Sequence, residues 1–240
     1  DVVRGDARDG DAIGSLLRSA DFIIPLAALV GAPLCDQDPF AAVSINRDAI
    51  SMLTRLTGSY QALIFPTTNS GYGIGEAGKF CDENSPLRPV SLYGRLKVEA
   101  ESMVLDSGKG VTLRLATAFG MSHRMRTDLL VNDFTARAVT ERTIVVYEGK
   151  SMRNYVHVRD IAKAFIHAIK NFDSMQGEPF NVGLSDANLT KLELCERIQR
   201  YVPDLVYIEA PIGQDPDKRD YMVSNEKIEA TGFKPDWSLD

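Results

Sequence analysis

Along this chain, short apolar runs of strand length alternate with longer segments whose apolar residues recur at helical spacing. The runs Asp21 to Leu26, Ala62 to Phe65 and Val111 to Ala116 predict strands. Between the first two, Pro39 to Leu56 carries a helical period, with Ile45, Ala49, Met52 and Leu53 as its buried stripe. A second helix is predicted over Leu87 to Leu105. Strand and helix taking turns in this way predict an α/β fold with a doubly wound parallel sheet. Past Gly120 the pattern loosens. Polar and aromatic loops at Met121 to Asp128 and Tyr147 to Arg153 predict a smaller lobe over the carboxyl edge of the sheet, where open parallel sheets bind ligands. The expected division is 1–120 with parts of 150–185 for the sheet domain, and 121–149 with 186–240 for the lobe. No internal repeat, low-complexity tract or flexible linker interrupts it.

The 240 residues, 44% hydrophobic, are enough for a substantial core. A net charge of −6 offers no general basic surface for nucleic acid or anionic membrane, so any phosphate must be met locally. No apolar stretch approaches the roughly 20 residues of a membrane helix, and the N-terminus lacks a basic-then-apolar signal pattern, which makes cytoplasm the expected location. Cys35, Cys81 and Cys195 are odd in number, scattered and without metal-ligand spacing, so they read as structural thiols and no metal is expected. Cys81 sits in what reads as an exposed loop, Lys79 to Glu83.

Candidate chemistry enters at Tyr93-Gly94-Arg95-Leu96-Lys97. A phenol and an ammonium four residues apart share one helix face, where the cation favours the ionised phenol. Left to itself the pair reads equally well as a solvated tyrosine beside a surface lysine. Upstream, the strand Ala62 to Phe65 runs into Pro66-Thr67-Thr68-Asn69-Ser70-Gly71-Tyr72-Gly73, a strand end rich in hydroxyls. Hydroxyl, phenol and ammonium together make a proton-transfer set. For the hydroxyl, Thr67 and Thr68 compete, and strand-edge capping is the plain alternative for both.

These segments resemble the extended short-chain dehydrogenase/reductase family, the NAD-dependent sugar-nucleotide epimerases and dehydratases, nearly from end to end. Gly5-Asp6-Ala7-Arg8-Asp9 is similar to the segment that sets an aspartate against adenine. Ile23 to Ala28 resembles the fourth strand, beside the pyrophosphate. Asn46 matches a helix asparagine, and Leu113 to Gly120 the strand reaching nicotinamide and sugar. Arg153 to Asp160 resembles the nucleotide clamp, with Phe180-Asn181-Val182-Gly183 and Lys218-Arg219-Asp220 following in order. The resemblance implies a Rossmann-type domain with a C-terminal substrate lobe. It implies Thr68, Tyr93 and Lys97 as catalytic residues, with Thr68 favoured because it stands four before Tyr72. Cofactor contacts are implied for Asp6, Ala7, Leu26, Ala27, Ala28, Asn46, Tyr93, Lys97 and Ala116. Substrate contacts are implied for Thr68, Asn69, Thr117, Asp128, Leu129, Arg153 and Arg219. The implied cofactor is NAD, with NADP as the alternative, and the implied partners are a nucleotide sugar and a second copy of the chain.

The resemblance lacks its opening. No strand, Gly-x-x-Gly-x-x-Gly loop and helix precede Asp1, so the chain is expected to be a fragment short of about 40–60 residues. Within the family, the 4,6-dehydratases carry Thr-Asp-Glu where this chain has Thr68-Asn69-Ser70, and neither asparagine nor serine replaces a carboxylate acid/base. Epimerisation at C4 is therefore the leading expectation, ahead of a reductase, dehydrogenase or dehydratase. The non-enzyme alternative is a dinucleotide-sensing scaffold. His123, Arg124 and Arg126 read as a solvated basic loop, and His157 and His167 as structural residues.

Overall fold

A computed structural model describes residues 2–211 and 219–240, so Lys218 of the Lys218-Arg219-Asp220 segment lies outside the described residues. The chain divides into two compact units. The first comprises 1–71, 87–114 and 165–180, and the second 72–86, 115–164 and 181–240.

In the first unit the strands run Phe22–Ile23, Ala62–Thr68, Gly110–Leu115 and Pro179–Val182 in spatial order, the first two pairing in parallel with Phe22 opposite Ala62. The predicted strand Asp21 to Leu26 pairs over only two residues, because Pro25 brings no amide to the ladder. Ala62–Thr68 outruns its prediction by three residues and passes through Pro66. It tolerates the proline because its neighbour's pairing stops at Ile23. Helices Gly10–Leu17, Ala49–Leu56 and Leu92–Asp106 cover the sheet. Their Leu17, Ile50, Leu53, Ala100 and Val104 close on Leu63 and Phe65, each large side chain contributing about 1.5–3 kcal/mol.

Leu92–Asp106 starts five residues later than predicted. Pro89 holds the residue before it away from helical backbone, and Ser91 caps the helix, its Oγ accepting the Gly94 amide at 3.1 Å. The predicted helix Pro39 to Leu56 is three pieces: α-helix Pro39–Val43, a π-helical turn Ser44–Asp48 and α-helix Ala49–Leu56. Ala42, Asn46, Ala49, Ile50 and Leu53 share one face and are buried, while the expected Ile45 and Met52 lie at the margin of that face and are only half-buried. A buried ion pair joins Leu92–Asp106 to the sheet. Arg114 donates from Nε to both Glu101 oxygens at 3.0 and 3.2 Å, and from Nη2 to Oε1 at 2.6 Å.

The second unit is built on Thr117–Phe119, Met152–His157 and Asn188–Thr190, the first pair parallel and the second antiparallel. Helices Leu130–Thr140 and Lys191–Tyr201 bury Phe134, Leu194 and Ile198 against Ile144, Val146 and Tyr155. Lys191–Tyr201 opens with a reciprocal cap between Thr190 and Glu193. Cys81, expected in an exposed loop, is buried in the strand Phe80–Cys81, which pairs in parallel with Met222–Val223. His157 lies between Phe119 and Trp237, stacked on the indole at 4.5 Å. Among the described residues no helix is long and apolar enough to cross a membrane, and no group of three or more His, Cys, Asp or Glu could hold a metal ion.

Gly120 has φ of +103°, and a Cβ there would collide with the His157 ring. Gly120→Ala is expected to destabilise the second unit by about 2–3 kcal/mol. Trp237 is the sole tryptophan, so its fluorescence during guanidinium unfolding reports the shift.

Candidate active site

Tyr93 and Lys97 occupy the first two turns of Leu92–Asp106, and both turns are held close to the chain that leaves Ala62–Thr68. Gly94 makes the approach possible, since a Cβ there would lie 3.0 Å from Pro89 Cβ and 3.4 Å from Ser70 O. Tyr93 is half-buried and packs on the cluster formed by Cys35, Ala42 and Leu96. Lys97 points inward and is 5% exposed. Its Nζ donates to Pro66 O at 3.0 Å and lies 4.7 Å from the centroid of the Phe65 ring. Burial lowers its pKa from the ordinary lysine range to about 8.

Thr68 closes the same strand, half-buried. Its Oγ1 donates to Ser70 Oγ at 2.9 Å and accepts the Ser70 amide at 3.1 Å. Thr67, the competitor, is buried at 4% exposure. Asn69 is 1% exposed, and neither atom of its amide group finds a hydrogen-bond partner among the described residues. Orphaned buried amides cost about 1–3 kcal/mol, so they call for an explanation.

The residues expected to meet a dinucleotide also fall in the first unit. Asn46 sits in the π-helical turn and clamps Leu29 at two points: its Oδ1 accepts the Leu29 amide at 2.9 Å and its Nδ2 donates to Leu29 O at 2.8 Å. Cys35 joins this knot, its thiol donating to Leu29 O at 3.4 Å. The clamp fixes the extended segment that carries Leu26, exposed at 67%, Ala27 and Ala28. Ala7, Leu26 and Ala27 line an apolar groove of about 360 Å³ together with Ile13, Ile24 and Ile45. Asp6 is gripped by the Arg8 guanidinium, which holds its carboxyl down at about 2.

In the second unit, Arg153 and Arg219 come together. Arg153 is 2% exposed, and its Nη1 donates to the carbonyls of Met152 and Arg219. Arg219 Nη1 donates to Tyr221 Oη at 3.4 Å. Ala116 is buried and Thr117 half-buried in the chain entering this unit's sheet. Asp128 is exposed and takes a two-point contact from Arg126, at 2.7 and 2.6 Å, which lowers its pKa. Leu129, half-buried, precedes the helix Leu130–Thr140.

Two groups escaped the sequence reading. The Pro66 carbonyl is a backbone acceptor, invisible to side-chain motifs, although a proline inside a strand run marks an irregular place in the ladder. Glu101 shares its signal with the residues that were found, since it stands four after Lys97 on the same helix face.

Comparison with known proteins places these features in a family. The chain is 27% identical over 248 residues to the low-salt glycan biosynthesis protein Agl12 of Haloferax volcanii, covering 99% of this chain and 78% of the relative. Its structure is similar to Thermus thermophilus UDP-glucose 4-epimerase in complex with NAD, with a TM-score of 0.82 at 22% identity over 98% of this chain and 79% of the other. It is also similar to UDP-glucuronic acid 4-epimerase of Bacillus cereus in complex with UDP-glucuronic acid and NAD, with a TM-score of 0.85 at 20% identity over 99% of this chain and 77% of the other. These likenesses show the Rossmann-type α/β fold. The model of the NAD dependent epimerase/dehydratase family matches residues 1–183, and the chain belongs to that family.

Proposed function

We propose that this enzyme is an NAD-dependent 4-epimerase of a nucleotide sugar, and that Tyr93 is its acid/base. The observation that carries the reading is Lys97: a buried ammonium one turn after Tyr93, bonded to a carbonyl two residues before Thr68. A phenol titrates near 10, and a cation nearby lowers such a group by about 1–3 units, which populates phenolate at neutral pH. Tyr93 then takes the proton of the sugar 4-hydroxyl, with Thr68 donating to the same oxygen. NAD, when bound, would supply reversible hydride exchange at C4. Tyr93 would restore the proton to the 4-oxygen, and inversion at C4 would leave no net consumption of cofactor.

The residues present fit the dinucleotide. The groove bordered by Ala7, Leu26 and Ala27 is apolar and exposed, as a flat base requires. The Asn46 clamp keeps the Leu26 to Ala28 backbone extended, and Lys97 has ammonium protons beyond the one given to Pro66 for ribose hydroxyls. Asp6 is already ion-paired, so its adenine contact runs through an oxygen shared with Arg8. Ala116 completes the cofactor set.

For the substrate, Arg153 and Arg219 supply guanidinium forks suited to a diphosphate, and Thr117 and Leu129 contact the sugar portion. Asp128 accepts a sugar hydroxyl only by sharing its carboxylate with Arg126. Asn69 belongs to the substrate set in this reading, and its buried carboxamide must be uncovered to make that contact. Asn69 and Ser70 in place of a carboxylate pair favour epimerisation over dehydration. A homodimer is part of the same reading, and light scattering tests it.

Incubating the intact enzyme with a panel of nucleoside diphosphate sugars and following C4 configuration by NMR tests the assignment. Inverted product without accumulated reduced cofactor is expected, whereas stoichiometric reduced cofactor would identify a dehydrogenase. Tyr93→Phe is expected to lower kcat by about 10²–10⁴-fold while NAD binding is kept. Neutralising Lys97 removes the charge that supports the phenolate. The kcat/KM profile is therefore expected to fall as pH rises through about 8, and Lys97→Arg, which stays protonated, to move that limb upward.

A further inference from the structure

Tyr93, Lys97 and Glu101 recur every fourth residue on Leu92–Asp106 and form one stripe. The first two are accounted for by proton transfer. Glu101, 3% exposed, meets Arg114, 5% exposed, through three hydrogen bonds of 2.6–3.2 Å. Stability alone explains such a pair poorly, because taking both charges out of water offsets their attraction and apolar side chains of similar volume hold a core as well.

A two-point contact does what apolar packing does not: it fixes direction. The planar guanidinium meets the carboxylate in one plane, which sets both the rotation of the helix about its axis and its position along it. A rotation of about 20° moves a group 5–6 Å from a helix axis by about 2 Å, and a misplacement of about 1 Å can cost 10²-fold in rate. Arg114 lies on Gly110–Leu115, the sheet neighbour of Ala62–Thr68. The second strand carries Thr68 and the carbonyl that receives Lys97. Holding the helix to the first strand therefore sets the phenol and ammonium in register with the hydroxyl.

We propose that Glu101 and Arg114 form a positioning pair that aims Tyr93 and Lys97 at the strand end carrying Thr68. This rests on the reading that Tyr93 and Lys97 carry the chemistry. Its test uses a variant that keeps the core filled, Glu101→Met with Arg114→Met, because removing one partner alone strands a buried charge and can unfold the chain. In the intact enzyme, three quantities are measured: the thermal midpoint, the titration midpoint of Lys97 by lysine side-chain NMR, and kcat with KM.

A folded double variant is expected to lose about 10²-fold in kcat with KM nearly unchanged. Its Lys97 midpoint is expected to rise from about 8 toward the ordinary lysine value as the ammonium regains water. An unshifted Lys97 midpoint overturns the proposal alone, whatever the turnover. A shifted midpoint with turnover intact overturns the catalytic assignment of Lys97 and the proposal with it.

Discussion

The first unit is organised around an ammonium ion kept out of water. Lys97 is almost wholly buried and gives one proton to a main-chain carbonyl, with an aromatic face as its other neighbour. A charge in such a place is tolerable only if the donors and dipoles around it are rigid. The surroundings meet that requirement. Gly94 lets the helix close on Ser70, Ser91 caps its first turn, and Arg114 grips its middle. In the proposed acid/base role, it is the fixed position of this ammonium, while protonated, that favours phenolate, without the lysine itself being the base.

The second unit solves a different electrostatic problem. On the proposed reading, a doubly charged diphosphate meets an acidic chain, which must then concentrate positive charge locally. Arg153 is buried and donates to the main-chain carbonyls of Met152 and Arg219. Arg126, by contrast, is matched by Asp128 in a solvent-exposed pair of the sort that contributes little.

Much of this was legible in the residues. The strand run Ala62 to Phe65, the Tyr93 and Lys97 spacing and the ordered motifs after Gly120 lead to the fold and to the principal candidates, because apolar periodicity and side-chain chemistry are local properties. Other features were not legible, for reasons that are equally physical. The shortening of Asp21 to Leu26 turns on Pro25, which an apolar run counts as one more strand residue although it brings no amide to the ladder. The burial of Cys81 depends on Met222–Val223, some 140 residues away in sequence. The π-helical turn leaves no mark in an apolar pattern that assumes an unbroken period of 3.6. Glu101 and Arg114 are two ordinary charged residues until the fold buries them against each other.

The π-helical turn also constrains how this segment can change. A wide turn holds one residue more than a regular helix would need to span the same rise, and here that surplus spans Asn46. Losing any single residue between Ser44 and Asp48 would restore an uninterrupted α-helix and swing the carboxamide away from Leu29. The piece before the turn would then no longer match the face presented after it. Length in this stretch is therefore under tighter restraint than composition: substitutions at Ile45 or Arg47 leave the spiral intact, whereas a deletion of one codon would unlatch the extended backbone from Leu26 to Leu29.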